Sequence, residues 1–274
     1  MLKLIKSNFK RTNDSIILAI PLILFWSIIS WYCFYTRAYA DGIAQLILSF
    51  VTFMVMFAAF SAIWFYLVKK TLKLSTEEYV FEKDRKSEFL KLLKSVPKGL
   101  GKLFLPMIAV SFIYITAFMF IIFAAAYLSI KYVGPIDFEF IFGSDLFVSS
   151  GELLSRFSEL PDNMLWSLNC FISIINISVA VLLFIGMLWI PEIVYSYQNP
   201  FKSLILSIKK LFSKFWKSLG LFVYISFLYL ILLILNSLLM VNPYLYFIVL
   251  ILTYYFFIYF VVLIFSYYEQ EFQD

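Results

Sequence analysis

The chain has 274 residues, of which 63% are hydrophobic and only 14% charged, with a formal net charge of +5. Soluble domains run near 45–50% apolar and about 25% charged, and a core of this length could not hide so many Phe, Leu, Ile and Tyr side chains. A water-soluble globule is therefore excluded, and 8 Gly, 8 Pro and 2 Cys exclude disorder, collagen and a disulfide scaffold; lipid must be the solvent.

In chain order, six stretches carry about 20 or more mostly apolar residues, the length a helix needs to cross a bilayer: 15–35, 43–68, 103–130, 164–190, 218–241 and 244–268. They are too long and too continuous for the roughly ten-residue alternation of a barrel. The expected fold class is all-α, a polytopic transmembrane helix bundle of six spans with two in-plane amphipathic helices on the cytoplasmic side. The whole of 1–274 is expected to form a single integral membrane domain. The basic stretch 1–11, the apolar run after it and Ala38-Tyr39-Ala40 have the outline of a signal peptide. The apolar run exceeds the 7–15 residues of a signal core, so it reads as the first span. Pro21 and Pro106 fall inside spans, where each loosens a backbone hydrogen bond and can kink the helix. A tight Asn242-Pro243 turn makes the last two spans a hairpin.

Orientation follows from the Lys and Arg of the loops. With the N-terminus inside, 19 of the 22 basic residues lie on the inner side. The outer side keeps Arg37, Lys131 and Arg156, and its 131–163 loop carries Asp137, Glu139, Asp145, Glu152, Glu159 and Asp162. Both termini are expected in the cytoplasm. The basic balance thus reflects insertion into the membrane, and no nucleic-acid partner is implied. The Asn13-Asp14-Ser15 sequon falls on the inner side and the outer loop has none, in keeping with a bacterial cytoplasmic membrane.

Two basic amphipathic stretches stand out between the spans. Over 201–219, apolar residues recur at Phe201, Leu204, Ile205, Ile208, Leu211, Phe212, Phe215, Trp216 and Leu219, the spacing of one helix face. Lys202, Lys209, Lys210, Lys214 and Lys217 occupy much of the rest. Such a helix lies in the interface with rings among acyl chains and lysines toward anionic headgroups, each lysine worth about 1 kcal/mol. It either recruits anionic lipid, with Trp216 and these lysines as the lipid-binding set, or simply orients the next span. The second stretch, 87–102, places Phe89, Leu93, Val96 and Leu100 opposite Lys91, Lys94 and Lys98, and Pro97, Gly99 and Gly101 are expected to break it before the third span. Lys102 precedes Ser111-Phe112-Ile113-Tyr114 as Lys217 precedes Ser226-Phe227-Leu228-Tyr229, which a duplicated hairpin or chance similarity would each explain. The run Glu77, Glu78, Glu82, Lys83, Asp84, Arg85, Lys86, Glu88 alternates sign as a solvated helix does, and the 69–102 segment that holds it could also dock a protein partner.

Asn199-Pro200-Phe201-Lys202-Ser203-Leu204 and Lys214-Phe215-Trp216-Lys217-Ser218-Leu219-Gly220-Leu221 resemble a pattern in uncharacterised bacterial six-helix membrane proteins. These are similar to the membrane domain attached to some glycerophosphodiester phosphodiesterases. The resemblance implies architecture and a membrane-associated role. No phosphodiesterase catalytic domain accompanies it, so it carries over no catalytic residue.

Ionisable residues inside spans would mark ion or substrate paths, yet Arg37, Asp41 and Glu192 fall at span ends. Uncharged polarity does fall inside: Gln45, Ser49 and Thr52 share one helical face of the second span, and Asn169, Ser173 and Asn176 one face of the fourth. Each set either lines a passage or hydrogen-bonds a neighbouring helix. With no His, the chain lacks the Ser-His-Asp and Cys-His arrangements and histidine metal sites. Cys33 and Cys170 read as small apolar residues, and Asp137, Glu139 and Asp145 lack the spacing of a calcium loop. No catalytic residue, metal site or cofactor is expected. The leading expectation is a non-enzymatic membrane protein engaging anionic lipid or partner proteins through its basic helices; the alternative is a transporter or permease for an uncharged or lipid-like solute.

Overall fold

Surrounded by lipid, an apolar run can satisfy its own backbone N–H and C=O groups only as a helix or in a closed barrel, and helices are what this chain forms. A computed structural model describes residues 2–39, 42–76, 85–136, 160–197, 199–237 and 243–273. The expected outer acids Asp137, Glu139, Asp145, Glu152 and Glu159, the turn residue Asn242 and most of the alternating charged run 77–88 lie outside the described residues. Helix accounts for 94% of those described, with no strand among them. The helices are α1 (Leu2–Asp14), α2 (Ala19–Tyr39), α3 (Ile43–Thr76), α4 (Arg85–Tyr132), α5 (Asp162–Gly186), α6 (Trp189–Ser196), α7 (Pro200–Ser213), α8 (Phe215–Ser237) and α9 (Tyr246–Phe272). Six segments are long and apolar enough to cross a membrane: Ile16–Thr36, Ile43–Leu74, Lys94–Tyr132, Asp162–Ser196, Phe215–Ser237 and Tyr246–Phe272. The fold is an all-α polytopic one, as the apolar runs require.

The chain forms two compact units, Met1–Ser111 with Ile185–Asp274, and Phe112–Phe184. In the larger unit α9 is the common neighbour of α1, α2, α3, α6 and α8. Its Tyr259, Val262, Leu263, Phe265 and Tyr267 are buried. Across from them Trp64 of α3 sits 5.6 Å from the Phe257 ring, and the Phe25 and Phe60 rings stack at 3.9 Å between α2 and α3. In the smaller unit Ala125, Leu160, Leu168 and Phe171 form a core flanked by Ile122, Met164 and Ile174.

Three local features depart from a reading of apolar periodicity. First, 2–14 is an amphipathic helix in its own right and packs on α9. Its buried face, Leu4, Asn8 and Thr12, is mostly polar, and it continues past the helix end through Ser15, Leu18, Leu22, Phe25 and Ile29 as a seam with helical spacing. Where α1 passes into α2 through a short 3-10 turn, the Trp64 indole N–H donates to the Leu18 carbonyl at 3.1 Å. Second, α4 runs unbroken through Pro97, Gly99, Gly101 and Pro106. Gly99 serves packing: a Cβ there would lie 2.9 Å from the Tyr66 Cβ of α3, so the absence of a side chain sets the approach of the two helices. Third, the in-plane helix over 201–219 stops at Ser213, and the chain bends at Lys214 (φ −126°, ψ 43°) before α8 begins. Phe215, Trp216, Lys217 and Leu219 thus belong to the next span. The two junctions that look alike in sequence differ in backbone, since Lys102 lies within an unbroken helix. Pro21 falls in the first turn of α2, where a missing N–H costs little.

Candidate functional site

Charged and phenolic side chains of the larger unit collect where α1, α3, α6, α7, α8 and α9 meet. The local sequence explains how α7 arrives there. Asn199 accepts from the Phe201 N–H at 2.9 Å with Pro200 in the first turn, an N-cap followed by the one residue that loses nothing at that position. The Trp189 indole donates to the Pro200 carbonyl at 2.9 Å and ties α6 to the start of α7. The face that α7 turns inward is small: Ser203, Ser207 and Leu211 are fully buried, a spacing of four that lets two helices approach closely. The opposite side carries Phe201, Ile205 and Phe212, all exposed. At 3.6 residues per turn these three fall within about 40° of one another, with Lys202 and Lys209 along their edge.

The lysines expected to form one basic surface divide into two groups. Lys210 pairs with Glu192 of α6 at 2.7 Å, the glutamate side chain 3% exposed and the lysine 30%. Tyr268 of α9 completes a triad, donating to Glu192 at 2.6 Å while accepting from Lys210 at 2.7 Å. Lys214 and Lys217 both pair with Glu271, and the Ser218 and Tyr267 hydroxyls bond beside them at 2.9 Å. A buried carboxylate must be paired and hydrogen-bonded, and these contacts fasten α6, α7 and α8 to the end of α9. Lys202 and Lys209, by contrast, are exposed, and no carboxylate among the described residues forms an ion pair with them. Trp216 is 81% exposed.

The same network reaches α1 and α3. Tyr195 of α6 donates to Glu269, which also lies 3.8 Å from Arg11, and Arg11 donates to Ser266 at 3.1 Å. Tyr255 donates to Asn13 at 3.0 Å, and Asn8 donates to the Tyr259 carbonyl at 3.3 Å. Lys69 donates to the Val194 carbonyl at 3.0 Å and to the Tyr197 hydroxyl at 3.2 Å, capping the C-terminal end of α6. Tyr197, just past that helix, holds a left-handed φ of 52°, uncommon without glycine. Partial burial pushes its hydroxyl above the usual tyrosine range, so it stays protonated.

The intramembrane polar residues lie in separate units. In α3, Gln45 is exposed and Ser49 and Thr52 are half-buried; the Ser49 carbonyl accepts from Tyr32 at 3.0 Å, and Thr52 bonds its own helix at Leu48. In α5, Asn169, Ser173 and Asn176 form an exposed row. Cys33 is exposed and Cys170 half-buried. Among the described residues no group of three or more His, Cys, Asp or Glu could hold a metal ion.

A count of Lys and Arg passed over the acids that neutralise them. Glu269 and Glu271 close the last span beside Tyr267 and Tyr268, and acids at the basic end of a span, together with Glu192, were the available signal. Compared with protein-family models, curated proteins and solved structures, the chain matches none, so nothing there bears on the likeness to phosphodiesterase membrane domains.

Proposed function

We propose that this multi-pass membrane protein engages anionic lipid along the outward face of α7. The observation that carries this reading is the division of the lysines. Lys210 is paired with Glu192, and Lys214 and Lys217 share Glu271, whereas Lys202 and Lys209 have no ion pair among the described residues and border the exposed Phe201, Ile205 and Phe212. Rings beside ammonium groups on one exposed helix edge suit the boundary between acyl chains and negatively charged headgroups. Positive-inside topology would put this edge, and both termini, at the cytoplasmic leaflet of a bacterial membrane. The ion-paired lysines then hold α7 in place for the free ones, and catalysis has no part in the reading.

The test is the thermal midpoint of the full chain in nanodiscs as phosphatidylglycerol replaces phosphatidylcholine. The wild type gains stability with anionic lipid, and the double variant Lys202→Gln/Lys209→Gln loses most of that gain while matching the wild type in pure phosphatidylcholine. An identical response of the two proteins overturns the reading.

A second reading, passage of an uncharged or lipid-like solute, draws on the exposed Asn169, Ser173 and Asn176 row of α5, since exposed amides are costly against hydrocarbon. Cysteine labelling at Asn176 from each side of the membrane checks it; inaccessibility from both sides rules it out.

A further inference from the structure

Lys69 of α3 and Lys102 of α4 approach one ring. Their ammonium groups lie 4.4 Å and 4.8 Å from the Tyr197 centroid, which holds the two within about twice that distance of each other. Lys69 also lies 4.7 Å from the Tyr195 ring. No carboxylate among the described residues forms an ion pair with either. Aromatic faces compensate a cation only in part; Glu269 attracts Lys69 from outside ion-pair distance, but the Lys102 charge acts on it more strongly, so the two like charges drawn together repel. The arrangement calls for an anion.

The hydrogen-bonding inventory shows which kind. The Val194 carbonyl and the Tyr197 hydroxyl take two of the three Lys69 N–H bonds, leaving one to donate. The Tyr197 oxygen accepts from Lys69, so its own protonated O–H is free to point elsewhere. Lys102 is exposed and can offer its N–H bonds. Several donors from three chain segments, two of them charged, suit an acceptor with several oxygens and a formal negative charge. Tyr197 holds a left-handed φ of 52°, and such a backbone persists when its surroundings over-determine it. Gly99 serves the same end by letting α3 and α4 approach at Tyr66.

We propose that Lys69, Lys102 and the hydroxyl of Tyr197 form a binding site for a phosphate oxyanion, distinct from the exposed edge of α7. Basic pockets between membrane helices take phospholipid headgroups in this way, and a soluble phosphate compound presents the same oxygens. The proposal extends the anionic-lipid reading to a discrete site, but its evidence is independent of Lys202 and Lys209.

The experiment uses the full chain with two probes. In one arm, phosphatidylglycerol retained after extraction from mixed phosphatidylcholine and phosphatidylglycerol nanodiscs is counted by native mass spectrometry. In the other, inorganic phosphate is titrated at constant ionic strength against the thermal midpoint of protein in phosphatidylcholine nanodiscs. Wild type is expected to bind at least one probe, and Lys69→Gln/Lys102→Gln to bind it roughly tenfold more weakly or worse. Retention of lipid alone identifies a headgroup as the source, a response to phosphate alone a soluble compound, and both the phosphate group itself. Lys102→Gln alone disturbs only a ring contact and guards against misfolding, while Lys69→Arg/Lys102→Arg keeps the charge and should keep binding. Lys202→Gln/Lys209→Gln should leave this binding intact even where it abolishes the general anionic-lipid response. Binding of neither probe by the wild type, or equal binding by wild type and Lys102→Gln, overturns the proposal.

Discussion

Removing the cation from the Glu192–Lys210–Tyr268 triad should cost more than removing the acid. Lys210→Met leaves Glu192, 3% exposed, with the Tyr268 hydroxyl as its one remaining partner in the triad. Breaking a fully buried ion pair in this way costs about 3–5 kcal/mol. Lys210 is 30% exposed, so water already screens part of the attraction, and the tyrosine bond survives; about 2–3 kcal/mol is expected. Glu192→Gln keeps an acceptor for Tyr268 and frees Lys210 to turn toward water, for about 1 kcal/mol. The double variant should be no worse than Lys210→Met alone, giving a coupling of at least about 1 kcal/mol. The assay is reversible unfolding in mixed micelles followed by tryptophan fluorescence. If Lys210→Met costs no more than Glu192→Gln, or if the two effects simply add, the glutamate is not the group that depends on the pair.

Leu211→Ala, fully buried against the fold, should lose about 2–4 kcal/mol, while Phe212→Ala on the exposed side stays within about 0.5 kcal/mol; equal losses in the same unfolding assay would mean that α7 is turned the other way. Gly99→Ala should lower stability by about 1–3 kcal/mol because its Cβ would sit 2.9 Å from the Tyr66 Cβ. Gly101→Ala, which meets nothing within 4 Å, should be neutral or slightly stabilising, and thermal midpoints of the two variants separate the cases. Trp64→Phe should cost about 1–3 kcal/mol by leaving the buried Leu18 carbonyl without its indole donor, measured in the same way.

The spans were legible because a bilayer admits little else. Six apolar runs became six membrane-length helical segments, the fourth divided between α5 and α6, with boundaries extended at Lys69–Leu74 and Lys94–Lys102, where lysines continue a helix that apolarity alone would end. The packing was far less legible, for a physical reason. In lipid the largest apolar residues need not face the core, and helices meet through small or polar ones. Hence α1 buries Asn8 and Thr12, and α7 buries Ser203 and Ser207, while Phe201, Ile205 and Phe212 stay outside. Apolar periodicity located α7 but not its end at Ser213, passed over α1, and gave little indication of which side would pack. The candidate site was half legible. Its lysines were visible as a cluster, but which of them are ion-paired depends on Glu192 and Glu271, which lie on other helices and are brought near by the fold. Nothing in the residues around Tyr197 announced that Lys69 and Lys102 would share its ring.

The most direct measurement is the selectivity of the boundary lipid. Electron spin resonance of spin-labelled phosphatidylglycerol and phosphatidylcholine, each added to the full chain in bilayers, gives their relative association with the protein surface. An exposed lysine near the headgroups contributes about 1 kcal/mol, so the wild type should prefer the anionic label several-fold, and Lys202→Gln/Lys209→Gln should lose most of that preference. Equal association of the two labels with the wild type would contradict the account.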